Sequence, residues 1–231
     1  MQTPQAGDAA ALLQAGDAAA LLQEAAARAA AFDLAGAAEL LKDAASRGHA
    51  DAPIAALYIR GLIDAREAFR EGGSPGSLAS VRDAIASLQA IAKGRSGPAE
   101  IARLTLQAAA AAAQSERDEM GLYLATAIEM ETLQRMAGLP GAPLVSAAEV
   151  AGDFWLQVHR YEDARRAYMD AAARVGSTLR ILSGLARAAR RLDDVPAACA
   201  GYRRLLEAWG ARTDEPPAIA EARAYVVSCA P

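Results

Sequence analysis

Aromatic residues are scarce in this chain of 231 residues, where Phe, Trp and Tyr together make up 5% of all positions. Alanine, in contrast, fills about a quarter of them. Because alanine favours helices and is depleted in strands, the composition disfavours a β-sandwich, a barrel or a wound parallel sheet. A core with few aromatic side chains requires helices that approach one another closely through small residues. The composition therefore predicts an all-α fold.

Long apolar runs are also missing from the sequence. The longest, 108–113, contains only alanine and is far shorter than the roughly 18 residues of a membrane span. Residues 1–5 lack the basic segment and the apolar stretch of a signal peptide, so we expect an exported form to have lost its signal. The net charge of −4 argues against general binding to nucleic acids or to anionic membranes.

Motifs that carry catalytic chemistry are missing as well. The chain has two histidines, His49 and His159, and neither lies in a metalloprotease motif or beside a cysteine. The sequence contains no glycine-rich phosphate loop, no nucleophile elbow and no Cys-x-x-Cys pair. We therefore expect a protein without enzymatic activity and without a bound cofactor.

The C-terminal third of the chain contains a repeat of 34 residues. Three matching pairs are separated by this step: Ala164 and Ala198, Tyr168 and Tyr202, and Gly176 and Gly210. This succession of small, aromatic and glycine positions resembles the tetratricopeptide repeat. The resemblance implies antiparallel helix pairs stacked in a solenoid, with the first helix of each pair lining a concave groove. The short links predict helices at 145–158, 161–174, 178–192 and 195–209, followed by a last helix at 216–229.

A second segment, 44–61, resembles the SEL-like repeat, which is related to the tetratricopeptide repeat and occurs in bacterial helical-repeat proteins. Gly48 ends one predicted helix there, and Asp51 begins the next. Further helices are predicted at 77–93, 98–115 and 118–138, before Leu139-Pro140-Gly141-Ala142-Pro143 interrupts the chain. We therefore predict an all-α solenoid of ten or eleven helices in four regions: a helical extension at 1–31, an irregular block at 32–142, two regular repeats at 143–212 and a capping helix at 213–231.

The extension contains a duplicated nonamer, Ala-Gly-Asp-Ala-Ala-Ala-Leu-Leu-Gln, at 6–14 and 15–23. Nine residues make two and a half helical turns, so one continuous helix would turn the two Leu-Leu pairs to opposite sides. Gly16-Asp17 is also suited to end one helix and begin another. The sequence leaves both arrangements open.

Arginine is concentrated in one part of the chain. Segment 151–212 carries 11 arginines against 7 acidic residues, whereas 1–150 carries 12 basic and 18 acidic residues. On the predicted helix 178–192, which by the resemblance lines the groove, the arginines form a stripe suited to bind carboxylates through paired hydrogen bonds. We expect this stripe and two residues of the preceding helix to bind a protein or peptide, most simply an acidic one: Arg180, Arg187, Arg190, Arg191, Asp153 and Gln157.

Two alternatives to this scaffold function remain at the level of sequence. The arginines can form a solvated helix face, paired with Asp153 or Glu149 of the preceding repeat. The chain can also be a periplasmic protein that binds a small ligand or a metal ion through its irregular central helices, 98–143. Thioethers and imidazoles that would suit copper are present, although methionine also fills gaps in a core: Met120, Met130, Met136, His159 and Met169.

The two cysteines, Cys199 and Cys229, lie at similar distances on either side of a predicted turn near residue 213. If both side chains point inward, they come within range of a disulfide bond. A disulfide indicates an oxidising compartment such as the periplasm or the exterior of the cell. The alternative is a pair of buried free thiols in a cytoplasmic protein.

Overall fold

The computed structural model describes residues 6–93, 97–139, 145–212 and 215–229, with side chains of the first helix described from residue 17 onward. These residues form eleven α-helices and no β-strand, which confirms the predicted all-α solenoid of ten or eleven helices. The helices are α1 Ala6–Ala30, α2 Leu34–Ser46, α3 Ala52–Arg70, α4 Ala79–Ala92, α5 Pro98–Ala113, α6 Arg117–Met136, α7 Ala147–Gln157, α8 Tyr161–Val175, α9 Leu179–Arg191, α10 Val195–Trp209 and α11 Pro217–Val227.

Each helix packs mainly against the helices that precede and follow it in the sequence. The strongest contacts lie within four antiparallel pairs, α1–α2, α5–α6, α7–α8 and α9–α10, while α11 packs on α10 at the end of the array. The helices α3 and α4 form a further pair, and the first helices of successive pairs are in contact: α3 with α5, α5 with α7 and α7 with α9. This stacking of neighbours gives the chain its solenoid character.

The same turn joins the two helices in all four of these pairs. One residue adopts the left-handed conformation two positions before the second helix: Phe32, Ser115, His159 and Asp193, with φ between 57° and 69°. The amide of the next residue donates a hydrogen bond to the carbonyl five positions earlier, as in a Schellman motif, for example Arg160 to Trp155 at 2.9 Å. His159 and Asp193 are 34 residues apart, so the sequence period corresponds to one helical hairpin.

Helix ends in the C-terminal pairs follow from local sequence. Ser146 and Glu149 form a reciprocal capping box at the start of α7, and Asp194 accepts a hydrogen bond from the amide of Ala197 at the start of α10. Gly176 and Gly210 follow α8 and α10 with φ of 85° and 69°, a conformation that glycine adopts without steric cost. The two second helices therefore begin and end at equivalent positions of the repeat.

Small residues allow the helices to approach closely around a few large side chains. The ring of Tyr168 is 1% exposed and lies between Gly152 of α7 and Gly184 of α9. A Cβ atom at Gly152 would lie 2.4 Å from this ring, and one at Gly184 would lie 2.1 Å from it. In the centre of the fold, α5 contacts α3, α4, α6 and α7, and most of its alanine run at 108–113 is buried accordingly.

The helix α1 runs without interruption through Gly16, so its backbone adopts the continuous one of the two arrangements that the nonamer left open. Side chains of the first copy, 6–14, lie outside the described residues, and so does most of the predicted interruption at 139–143. Among the described residues, no helix is both long enough and apolar enough to cross a membrane.

Candidate functional site

Arg180, the first arginine of the predicted stripe, is buried rather than presented to a groove. Its side chain is 7% exposed, and its Nη1 donates a hydrogen bond to Oδ2 of Asp153 at 2.9 Å. Tyr168 donates its hydroxyl hydrogen to the other oxygen of the same carboxylate at 2.6 Å. Burial lowers the pKa of Arg180, but the charge and hydrogen bond of Asp153, together with the Glu149 carboxylate, raise it overall. For Arg180, therefore, the alternative prediction of a pair with the preceding repeat describes the structure, and the predicted contact with a peptide does not.

The space between the first helices of the pairs is nearly closed where Asp153, Gln157 and Arg180 meet. These residues line a crevice of about 30 Å³ together with Leu34 at the start of α2 and Phe154 of α7. A volume of that size is about what one water molecule occupies. The three predicted contact residues are therefore brought together, but the space between them does not admit a peptide.

Arg187 and Arg190 are already engaged by a carboxylate of the same chain. Arg190 Nη1 lies 3.1 Å from Oε1 of Glu221 on α11, and Arg187 Nε lies 3.5 Å from Oε2. The guanidinium of Arg190 also lies over the ring of Tyr225, 5.2 Å from its centroid. The fourth arginine, Arg191, is exposed at the end of α9. The stripe is therefore divided between a buried ion pair and a surface cluster around Glu221.

An open groove lies on the opposite side of the array, between α6 and α8, with α7 as its floor. We call it the Trp155 groove, because the half-buried indole of Trp155 lies where its two parts meet. The apolar part has a volume of about 370 Å³ and the polar part a volume of about 580 Å³. The apolar lining comes from all three helices: Leu124, Ala125, Ile128, Ala148, Ala151 and Ala167.

Gly121 keeps the groove open above the indole ring. A Cβ atom at this position would lie 3.6 Å from the ring of Trp155, which is ordinary van der Waals contact, so the glycine leaves space rather than relieving a clash. Part of the half-buried indole therefore remains accessible from the groove. An accessible aromatic face on a rigid floor is a common anchor in protein recognition.

Charged residues surround this apolar floor. Asp163, at the junction of the two parts, pairs with Arg160 at 2.8 Å and with Arg166. One end of the groove is bridged by Arg174, which donates a hydrogen bond to the hydroxyl of Thr132 on α6 at 2.9 Å. The lining contains four arginines and three aspartates, so its balance is slightly positive: Arg117, Arg160, Arg166, Arg174, Asp118, Asp163 and Asp170.

The sequence predictions missed this groove, although one signal pointed to it. In the 34-residue register Trp155 corresponds to Ala189, so a large aromatic residue occupies a position that is small in the next repeat. Periodicity does not reveal that a groove between α6 and α8 leaves the indole only half-buried.

The methionine and histidine residues considered for copper are dispersed. Met120 is fully buried in the core, whereas Met136 and Met169 are 80% and 59% exposed on different helices. His159 is exposed and contacts the hydroxyl of Tyr161 at 3.2 Å. In the part of the chain that the structure describes, no group of three or more His, Cys, Asp or Glu side chains is placed to hold a metal ion.

Cys199 and Cys229 are joined by a disulfide bond, with their Cα atoms 5.9 Å apart. The bond connects α10 to the residues that follow α11, across 30 positions of sequence. It therefore ties the end of the last helix to α10.

Comparison of the chain with protein-family models, with curated proteins and with solved structures gives no match. Functional inference accordingly rests on the geometry of the fold and its surfaces.

Proposed function

We propose that this chain is a non-catalytic scaffold of the tetratricopeptide or SEL-like kind, which binds a peptide segment of another protein in the Trp155 groove. The observation that carries the proposal is the half-buried indole of Trp155, which lines the groove beside the small residues Ala148 and Ala151 of α7. Apart from the Arg174 bridge at one end, the groove is open to solvent, whereas a receptor for a small ligand would enclose its ligand.

The lining favours an amphipathic peptide with acidic residues. A large apolar side chain of the peptide would lie on Trp155 and against Leu124 and Ile128, where burial of apolar area stabilises the complex. The single carboxylate of Asp163 is shared by Arg160 and Arg166. It therefore leaves positive charge on these two guanidinium groups. Carboxylates beside the apolar anchor would complement these groups.

A displayed library of random peptides, selected on the full chain, tests the proposal. Selected peptides would be labelled and titrated with the protein by fluorescence anisotropy, and we expect an aromatic or large aliphatic residue flanked by Asp or Glu among them. Peptide binding should also shift the fluorescence emission of Trp155. The other tryptophan, Trp209, is only 4% exposed, so its emission should stay constant.

A matched pair of variants locates the binding surface. Ala125→Trp places a large side chain within the apolar lining, and we expect it to weaken peptide binding by about tenfold or more. Leu122→Trp, at a neighbouring position that is 66% exposed, should leave the affinity nearly unchanged. Equal binding by both variants, or selection of no peptide that saturates, would overturn the proposal.

A further inference from the structure

The carboxylate of Glu221 is held by three donors on the two helices beneath α11. Arg190 and Arg187 approach its two oxygens at 3.1 and 3.5 Å, and Tyr202 donates its hydroxyl hydrogen to Oε1 at 2.9 Å. Burial, with the nearby Glu221 carboxylate, raises the pKa of Tyr202 to about 12, so its hydroxyl remains a donor at neutral pH. Together, Arg187, Arg190 and Tyr202 form a carboxylate receptor.

The rest of the contact between α11 and the array depends on few side chains. Ile219 and Ala222 are fully buried in a cluster with residues of α9 and α10, and Tyr225 packs on Tyr202 with ring centroids 4.9 Å apart. The remaining surface of this helix of eleven residues is largely exposed, including Val227 at 88%. A helix this short is marginal by itself and depends on its docking surface.

The disulfide acts on this same helix. Cys229 follows α11 and is half-buried, and its bond to Cys199 ties the end of the helix to α10. Covalent attachment keeps α11 at a high effective concentration over the receptor, which excludes a competing helix of similar affinity. Loss of the bond would leave α11 attached only through the segment that follows α10.

We infer that the surface of α9 and α10 beneath α11 is a docking site for a partner helix that presents one carboxylate among small, apolar and aromatic side chains, occupied by α11 while the disulfide is closed. The pattern of α11 defines the partner: an apolar residue two positions before the carboxylate, a small residue one position after it and an aromatic residue four positions after it. This site is separate from the Trp155 groove and does not depend on the function proposed for it.

A reducing dithiol opens the site. One thiolate of the dithiol attacks Sγ of Cys229, the bond to Sγ of Cys199 breaks, and Cys199 leaves as a thiolate that takes a proton from solvent. The second thiol of the reductant then displaces Cys229 as a thiol and closes the disulfide of the reductant. Two electrons pass from the dithiol to the protein, and α11 is released from its covalent attachment.

A peptide with the sequence of residues 215–228, carrying a fluorescent label, is the probe. The labelled peptide is titrated with the full chain that carries Glu221→Arg. This substitution places a like charge beside Arg187 and Arg190 and so weakens docking of the chain's own α11. We expect the peptide to bind this variant at least about tenfold more tightly with dithiothreitol than without it. The peptide with Gln in place of Glu221 should bind at least about tenfold more weakly.

Glu207→Arg, the same charge change at an exposed position of α10, serves as the matched control and should show no gain in peptide binding. Failure of the reduced Glu221→Arg protein to bind the peptide would overturn the docking site, and equal binding with and without dithiothreitol would overturn the role of the disulfide. A reduced dimer that excludes the peptide would overturn the partner helix in favour of exchange of α11 between copies. Hydrogen exchange on the unsubstituted chain provides a second measurement: amides of α11 should exchange faster after reduction, while those of α7 should not change.

Discussion

Arg180 and Asp153 form a buried ion pair that joins α9 to α7, with 2.9 Å between Nη1 and Oδ2. The carboxylate is 25% exposed and also accepts the hydroxyl hydrogen of Tyr168. The pair thus connects three helices of the two regular repeats. A charge that is almost completely removed from water depends on its partner more than an exposed charge does.

Removal of one partner should therefore have unequal effects. We expect Asp153→Ala to lower the free energy of unfolding by about 3–5 kcal/mol, because it leaves Arg180 buried without its carboxylate. Arg180→Met should cost less, about 1–2 kcal/mol, since Asp153 keeps its solvent contact and its hydrogen bond from Tyr168. Urea unfolding followed by circular dichroism measures both, and equal losses would contradict the assignment of the arginine as the more dependent partner.

Gly184 should not tolerate a side chain. We expect Gly184→Ala to lower the free energy of unfolding by about 1–3 kcal/mol, because the new Cβ would overlap the buried ring of Tyr168. This overlap outweighs the gain of about 1 kcal/mol that alanine brings to a helix interior. Gly121→Ala is the control: its Cβ meets Trp155 at a normal distance of 3.6 Å, so this variant should be as stable as the original or more so.

Ser115 occupies a left-handed turn conformation with φ of 62°, which disfavours a residue with a Cβ atom. We expect Ser115→Gly to raise the free energy of unfolding by about 0.5–1 kcal/mol after the greater chain entropy of glycine is subtracted. Ser87→Gly, on the exposed side of α4, should instead lower it by about 0.5 kcal/mol. Thermal unfolding of both variants distinguishes the two signs, and destabilisation by Ser115→Gly would refute the explanation.

Glu131 is 3% exposed and accepts a hydrogen bond from the amide of Ala147, so it connects α6 to the start of α7. Burial raises its pKa above 4.5, against the opposing effects of Arg135 and the backbone amides. Between its unfolded and folded pKa values, the folded chain holds a proton that the unfolded chain has released. The contribution of Glu131 to stability therefore falls as pH rises through this window.

Glu131→Gln removes the ionisation and keeps an oxygen that accepts the Ala147 hydrogen bond. Relative to the original chain, the variant should gain stability as pH rises above about 4.5 and then reach a plateau. Urea unfolding at a series of pH values measures the difference. Glu129→Gln, at an exposed position on the same helix, is the control and should show no such trend.

Helix positions and turn positions were predictable because they depend on local chemistry. The spacing predicts helices that begin at 161 and 195, and α8 and α10 begin at those residues. Helical periodicity also places Arg180, Arg187 and Arg191 on one face of α9. Pairing with Asp153 on α7 was one of the alternatives for this face, whereas the approach of Glu221 on α11 was not predictable from local pattern.

The sequence by itself determined the class of structure. Abundant alanine and few aromatic residues favour closely packed helices, and the 34-residue period with short links favours stacked helical hairpins. Only the tertiary structure decided which surfaces are open. It buried Arg180 against Asp153, paired Glu221 with Arg187 and Arg190, and left Trp155 half-buried in a groove between α6 and α8. The physical reason is that propensity and periodicity act within a few residues, whereas access to a surface depends on the separation of helices far apart in sequence.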